Sequence, residues 1–342
     1  MISETIDQLI NGKNMVQSEA AEIMDKIMDG EATPSQIAGF LIALRVKGET
    51  VEEIAGLAKT MREKALSVHI DGTNLIDTCG TGGDNSGSLN ISTAAALVAA
   101  GAGANVAKHG NRSMTSSCGS ADVLEALGVS VDLGPDGVAR SIKESGMGFM
   151  FAQTFHPAMR YVAPVRRELG VRTVFNILGP LTNPAAAKAQ VLGVADPKLV
   201  EKMARVLSLL GSHHALVVHG DDGLDEFSLS GPTTVAELRD GQISTYSVDA
   251  KDYGLAPAPK SALSGGDAKR NAGLLLDVLQ GVPGPHRDAV LINAAAALMV
   301  SDIAKDFQEG VDIAAETIDS GKARSTLDTF IRVSQEASKA SD

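Results

Sequence analysis

A chain of 342 residues, 44% of them hydrophobic, is long enough to bury a large core and to divide into two domains. With 3% aromatics and no Trp, that core has to be built from Ala, Val, Leu, Ile and Met. A net charge of −12 argues against nucleic acid as a main partner, two cysteines argue against a disulfide scaffold, and no apolar run reaches membrane-spanning length. MISETIDQLING carries no signal-peptide pattern, so the expected location is cytoplasmic.

The first seventy residues read as amphipathic helices. One runs from about Ile2 to Ile10 and ends at Asn11-Gly12, and another spans roughly Glu19–Met28. Thr33-Pro34-Ser35-Gln36 supplies an N-cap, a proline at the first helical position and a capping-box glutamine. Thr50-Val51-Glu52-Glu53 repeats that logic. The apolar faces could pack internally or form a dimer interface. No strand signal appears before Asn74.

From residue 74 the pattern alternates. Short β-like runs fall at 74–78, 105–108, 147–151, 190–194 and 215–219, with helical segments between them. This is an α/β pattern with a mostly parallel central sheet. Residues 233–249 read instead as a hairpin turning at Asp240-Gly241, and 264–281 and 286–301 as helices.

The first strand runs into DTCGTGGDNSGSLNIST, residues 77–93. Strand, glycine loop and helix start in that order build an anion site. Glycines let backbone N–H groups approach a ligand, and the helix N-terminus adds free donors and a favourable dipole. Asn90, Ser92 and Thr93 add side-chain donors. The loop matches neither GxxxxGK[ST] nor GxGxxG. Asp84 inside it would repel phosphates unless Mg²⁺ or a sugar hydroxyl met it.

The second strand end leads into Lys108-His109-Gly110-Asn111-Arg112-Ser113 and then MTSSCGS. Ends of parallel strands share one edge, so the two clusters should face each other. Lys108 and Arg112 bring charge; Ser113, Thr115, Ser116 and Ser117 bring hydroxyls. A third segment, GDDGLDE, places Asp225 beside Glu226 just past a strand, a pair of hard oxygen ligands suited to Mg²⁺. On its own this segment reads more readily as a solvated acidic loop. The histidines His109, His156, His213, His214 and His219 show no transition-metal spacing. Cys79 and Cys118 read as small loop residues, not nucleophiles.

GTGGD, NIST and KHGNRS, in this order and spacing, resemble the anthranilate phosphoribosyltransferase family. YVAPVRRELGVRTVFNILGPLTNP (161–184) and VVHGDDGLDE (217–226) resemble that family's further signatures, and the resemblance spans nearly the whole chain. Asn85 departs from it, since many members carry glycine there. The resemblance implies a helical domain over 1–70, rejoined by an excursion near 158–185. The α/β domain would comprise 71–157 and 186–342, of the nucleoside phosphorylase and phosphoribosyltransferase type. It implies a homodimer through the helical domain.

It also implies transfer of a 5-phosphoribosyl group from 5-phosphoribosyl 1-diphosphate to the amine of anthranilate, in tryptophan biosynthesis, with Mg²⁺. The donor site would use Gly80, Gly83, Asp84, Ser88, Asn90, Ile91, Ser92 and Thr93 from the first cluster. The second would give Lys108, His109, Gly110, Asn111, Arg112, Ser113, Met114, Thr115, Ser116 and Ser120. Gly80, Asn111 and Arg166 would contact anthranilate; Ser92, Asp225 and Glu226 would hold the metal. No dedicated base or nucleophile is expected, because an aromatic amine is already neutral at pH 7. A pyrimidine or thymidine phosphorylase would have a longer chain and would lack NIST followed by KHGNRS. A non-catalytic nucleic-acid-binding relative should be basic and lack the Asp225-Glu226 pair.

Overall fold

In the computed structural model, which describes residues 2–70, 74–84, 86–113 and 117–341, the chain opens on four helices. These are α1 (Ile2–Ile10), α2 (Gln17–Met28), α3 (Pro34–Lys47) and α4 (Val51–Glu63). Both capping boxes form: Thr33 with Gln36, and Thr50 with Glu53. Helix α2 starts two residues earlier than expected, because Glu19 accepts the Val16 amide at 2.9 Å and closes the first turn. Glu53 does more than cap. Its buried carboxylate also accepts the Met15 amide and the Lys47 ammonium, both at 2.9 Å. One carboxylate thus ties the entry to α2, the end of α3 and the start of α4.

Seven strands follow: β1 (Leu75–Gly80), β2 (Asn105–Gly110), β3 (Met147–Phe151), β4 (Ala189–Gly193), β5 (His214–Gly220), β6 (Thr233–Arg239) and β7 (Gln242–Val248). They form one sheet in the order β3-β2-β1-β4-β5-β6-β7, parallel from β3 through β5 and antiparallel at β6 and β7. The hairpin turns at Asp240 and Gly241, both at positive φ, as a two-residue turn requires. Strands β1 and β2 run two residues beyond their expected ends, which puts Cys79 on a strand instead of in a loop.

The remaining helices are α5 (Ile91–Gly101), α6 (Ser120–Ala126), α7 (Pro135–Ser145), α8 (Ala152–Phe155), α9 (Ala163–Leu169), α10 (Phe175–Leu178), α11 (Leu199–Leu209), α12 (Ala268–Leu279), α13 (Pro285–Val300), α14 (Phe307–Asp319) and α15 (Lys322–Ser341). Helix α12 begins later than expected because Asp267 caps it, accepting the Arg270 amide at 2.8 Å. Alternation along the strands sends Ile76, Val106, Val191, Leu216 and Val218 to one face, in a cluster with α5 and α13. Helix α13 is buried at every position from Ala289 to Val300, and its alanines face an alanine-rich α5. Leu192, Val194, Ala215 and Val217 on the other face share a cluster with α2, α4 and α11. The helical bundle therefore shares a continuous apolar core with the sheet. Between β3 and β4 the chain returns to the bundle, where α9 packs on α3 and α10 on α4. Among the described residues no helix is long and apolar enough to cross a membrane.

Candidate active site

The strand order reverses at β1, so a crevice opens past the carboxyl ends of β1 and β4. Gly80 and Gly193 end these strands and sit side by side in register. Neither could carry a side chain. A Cβ on Gly80 would lie 2.4 Å from Asp225 Oδ2, and one on Gly193 would lie 1.6 Å from the Asp225 carbonyl oxygen. The two glycines let the acidic loop after β5 lean across the crevice.

There it meets the glycine loop. Asp225 Oδ2 accepts the Gly82 amide at 2.7 Å, and Glu226 Oε1 accepts the Ser92 amide at 3.2 Å at the N-terminus of α5. Thr81 donates its amide to the Gly193 carbonyl at 2.9 Å. Gly82, Gly83 and Gly87 take positive φ, which gives the loop its tight path. Two of the N–H donors that the sequence assigned to an anion are thus held by the acidic pair in this structure.

Burial and the neighbouring Asp84 carboxylate push the Asp225 carboxyl up to about 6. Burial and the adjacent Asp225 raise Glu226 as well. Among the described residues no three His, Cys, Asp or Glu side chains converge as metal ligands. The donor set is two half-buried carboxylates in mutual repulsion, with the Ser92 hydroxyl on the neighbouring helix end. Such a set suits a hard cation that completes its shell with water and ligand phosphates.

The remaining residues of the first cluster divide between ligand-facing and supporting places. Asp84 turns back on its own loop, accepting the Ser86 amide at 3.2 Å, and Ser88 receives the Ser86 hydroxyl at 3.0 Å. The Asn90 amide is fully engaged: it donates to the Cys118 carbonyl at 3.2 Å and accepts from the buried Asn271 at 2.9 Å. The Ile91 side chain is in the core. The Thr93 hydroxyl is buried without a hydrogen-bond partner.

In the second cluster, Lys108 is buried beneath the glycine loop. Its ammonium donates to the Thr78 carbonyl and lies 3.3 Å from Ser92 Oγ. Burial lowers its pKa, and Asp77 and Glu226 oppose that shift. Its positive charge lies beneath the acidic pair. The His109 amide donates to buried Asp77 at 3.2 Å, and Asp77 is held in turn by Asn183 at 2.7 Å. The His109 ring sits 5.0 Å from that of His156, and burial pushes its pKa down to about 3, so it is neutral. A Cβ on Gly110 would lie 2.2 Å from Ser120 Oγ, so the loop presses on α6.

Asn111 accepts the Arg112 amide through its side chain and the Ser120 hydroxyl through its carbonyl. Arg112 forks onto Glu125 and reaches Asp122, a use of its charge that the sequence did not suggest. The Ser113 amide donates to Asp122 at 3.1 Å. Met114, Thr115 and Ser116, like Asn85, lie outside the described residues.

Arg166 sits on α9 with its guanidinium 5.4 Å from the centre of the Phe175 ring. It is half-buried, burial alone lowers its pKa, and among the described residues it has no carboxylate partner. Arg167 beside it is exposed.

Residues 72–324 match the model of the glycosyl transferase family a/b domain, and residues 3–65 that of its helical bundle domain. An anthranilate phosphoribosyltransferase of Roseiflexus castenholzii is 57% identical over 97% of this chain and 98% of its own. One of Symbiobacterium thermophilum is 56% identical over 94% of each chain. The chain belongs to the anthranilate phosphoribosyltransferase family. A crystal structure of a family member from Thermus thermophilus superposes with a TM-score of 0.92 at 46% identity, covering 96% of this chain and 99% of that one. The Saccharomyces cerevisiae member in complex with PRPP and Mg superposes with a TM-score of 0.90 at 29% identity, covering 98% of each.

Sequence reasoning missed several residues that shape the candidate site. Gly193 was hidden because its role is close approach to a loop 32 positions away, which no local motif announces. Asn271 and Asp77 support the two clusters from beneath. The LTNP segment that contains Asn183 was quoted without a role. A lone Asp at the head of DTCG, inside an apolar run, was the available signal for Asp77.

Proposed function

We propose that the chain catalyses transfer of the 5-phosphoribosyl group from 5-phosphoribosyl 1-diphosphate (PRPP) to the amine of anthranilate, within tryptophan biosynthesis. The supporting observation is the meeting of three segments at one strand edge: the glycine loop, the Asp225-Glu226 loop and the helical-domain excursion that carries Arg166 and Arg172.

The amine nitrogen attacks the anomeric carbon of the ribose. The C–N bond forms, the C–O bond to diphosphate breaks, and the amine loses a proton to solvent or to the departing pyrophosphate. Charge builds on the sugar as the leaving group departs, so the task is to hold the reactants in line and stabilise the diphosphate. The glycine-loop amides and the second cluster bind the phosphates in this reading. Arg166 pairs with the anthranilate carboxylate while Asn111 and Gly80 border the ring. Mg²⁺, held by Asp225, Glu226 and the Ser92 hydroxyl, supplies positive charge to the phosphate oxygens. His109, kept neutral by burial, adds no charge to the crevice.

Cytoplasmic location and a homodimer through the helical domain complete the proposal. Ile10 and Val46, 70% and 82% exposed, provide apolar surface on α1 and α3. Light scattering tests the dimer. Incubation with PRPP, Mg²⁺ and anthranilate tests the reaction: mass spectrometry should find N-(5-phosphoribosyl)anthranilate with stoichiometric pyrophosphate. Ribose 1-phosphate formed from a nucleoside and phosphate would point to a phosphorylase instead.

A further inference from the structure

We propose that Arg172 is a diphosphate-binding residue, delivered to the glycine loop from the helical-domain side of the crevice. The proposal rests on the reading of the site given above and extends it to a residue of the 161–184 segment that was given no role there.

Arg172 lies between α9 and α10, on the segment that returns to the helical bundle. Its backbone is fastened to that bundle, because Arg45 on α3 donates to its carbonyl. The next residue is fixed too, with the Thr173 amide donating to Asn176 Oδ1 at 2.8 Å. The guanidinium then reaches out of the bundle to the other domain. Nη2 lies 3.5 Å from the Gly82 carbonyl, and a Cβ on Gly83 would sit 1.8 Å from Nη1. The φ of +78° is what requires glycine at 83, and the guanidinium lies directly on the face that a side chain there would take.

In a chain of net charge −12, Arg112, Arg140, Arg287, Arg324 and Arg332 all pair with carboxylates. Arg172 has no carboxylate partner among the described residues, and its one acceptor is the long contact to Gly82. An exposed guanidinium laid on the glycine loop presents a fork of donors whose geometry matches phosphate oxygens. Arg166, on α9, stands apart from this role, since its guanidinium lies against Phe175 of α10. A bond from Arg172 to the diphosphate would also link the two domains through the ligand, because its main chain belongs to one and its contact to the other.

The test is calorimetric binding of inorganic pyrophosphate at saturating Mg²⁺, followed by steady-state kinetics. Arg172→Gln should weaken pyrophosphate binding at least tenfold and raise the KM for PRPP similarly, with the KM for anthranilate within twofold. Arg172→Lys should recover part of the loss by keeping the charge without the fork. Arg167→Gln, at an exposed position outside the site, should bind pyrophosphate within twofold of wild type. Should Arg172→Gln fail to fold, Arg172→Lys alone carries the comparison, with a severalfold loss expected. Folded Arg172 variants that bind pyrophosphate like wild type, or that raise only the anthranilate KM, overturn the proposal. Wild-type protein that binds no pyrophosphate would instead overturn the reading of the site beneath it.

Discussion

Asp225 Oδ2 accepts the Gly82 amide at 2.7 Å across 143 residues of sequence, so the acidic loop and the glycine loop are fastened to each other. The carboxylate that would hold a metal also holds the loop that would hold the phosphates. Asp225→Asn with Glu226→Gln should raise the Mg²⁺ concentration for half-maximal activity and slow turnover, and a Mg²⁺ titration of initial rates checks this. A titration that overlays wild type would leave Asp225 and Glu226 as a solvated acidic loop.

The same pair sets a pH dependence. The Asp225 carboxyl is raised to about 6 in the folded protein, so it is protonated below that pH and ionised above it. Mg²⁺ competes with the proton, so its apparent affinity should fall as pH drops through about 6, with proton uptake by the protein when metal leaves. Metal-free protein behaves oppositely in stability. A carboxyl whose folded pKa exceeds its unfolded value contributes stability at low pH that is lost as pH rises through the folded pKa. Melting temperatures in EDTA should therefore drop from pH 5 to pH 7, and Mg²⁺ should remove that drop.

Gly83 is held to glycine by its φ of +78°, and the movable guanidinium of Arg172 lies on it. Gly83→Val should lower affinity for PRPP well beyond tenfold while the circular dichroism spectrum stays that of wild type. Unchanged calorimetric binding would remove the glycine loop from the phosphate site.

Arg166 and Arg167 are neighbours with different surroundings, one half-buried over Phe175 and one exposed. A charge-assisted hydrogen bond contributes roughly 1.5–3 kcal/mol, so Arg166→Ala should raise the KM for anthranilate about ten- to a hundredfold. The KM for PRPP should change far less, and Arg167→Ala should do little to either. Kinetics with each substrate varied in turn decide the matter; a larger effect from Arg167→Ala would reverse the assignment.

The helical bundle has its own test. Glu53 is fully buried and accepts from Met15, Lys47 and Thr50. Glu53→Ala takes the carboxylate from the buried Lys47 ammonium and leaves it only Asn14 Oδ1 and the Gly48 carbonyl, and breaking a buried pair costs about 3–5 kcal/mol in comparable settings. Chemical denaturation should show that loss, and a change under 1 kcal/mol would mean that the bundle relaxes to solvate Lys47.

Local chemistry was legible in the sequence where the cause is local. Capping boxes at Thr33 and Thr50, the Asp240-Gly241 turn and the period-two strands depend on near neighbours, and they fall where the spacing puts them. The loop order around GTGGD and KHGNRS likewise marked one edge of a parallel sheet. What the sequence hid lies in pairings distant along the chain. Gly193 makes room for Asp225, Asn271 holds Asn90, and Arg172 covers Gly83; each depends on which strands become neighbours. The pairing of Arg112 with Glu125 and Asp122 on α6 was equally out of reach of the sequence. The sequence placed Lys108 at a strand end without showing that it would be buried, which depends on the elements that pack over β2.

The most direct measurement is the fluorescence of anthranilate mixed with purified protein, PRPP and Mg²⁺. The account expects the signal to decay with time, to stop when PRPP or Mg²⁺ is omitted, and to slow in Arg166→Ala. A signal that stays constant with all three present, from folded wild-type protein, would contradict it.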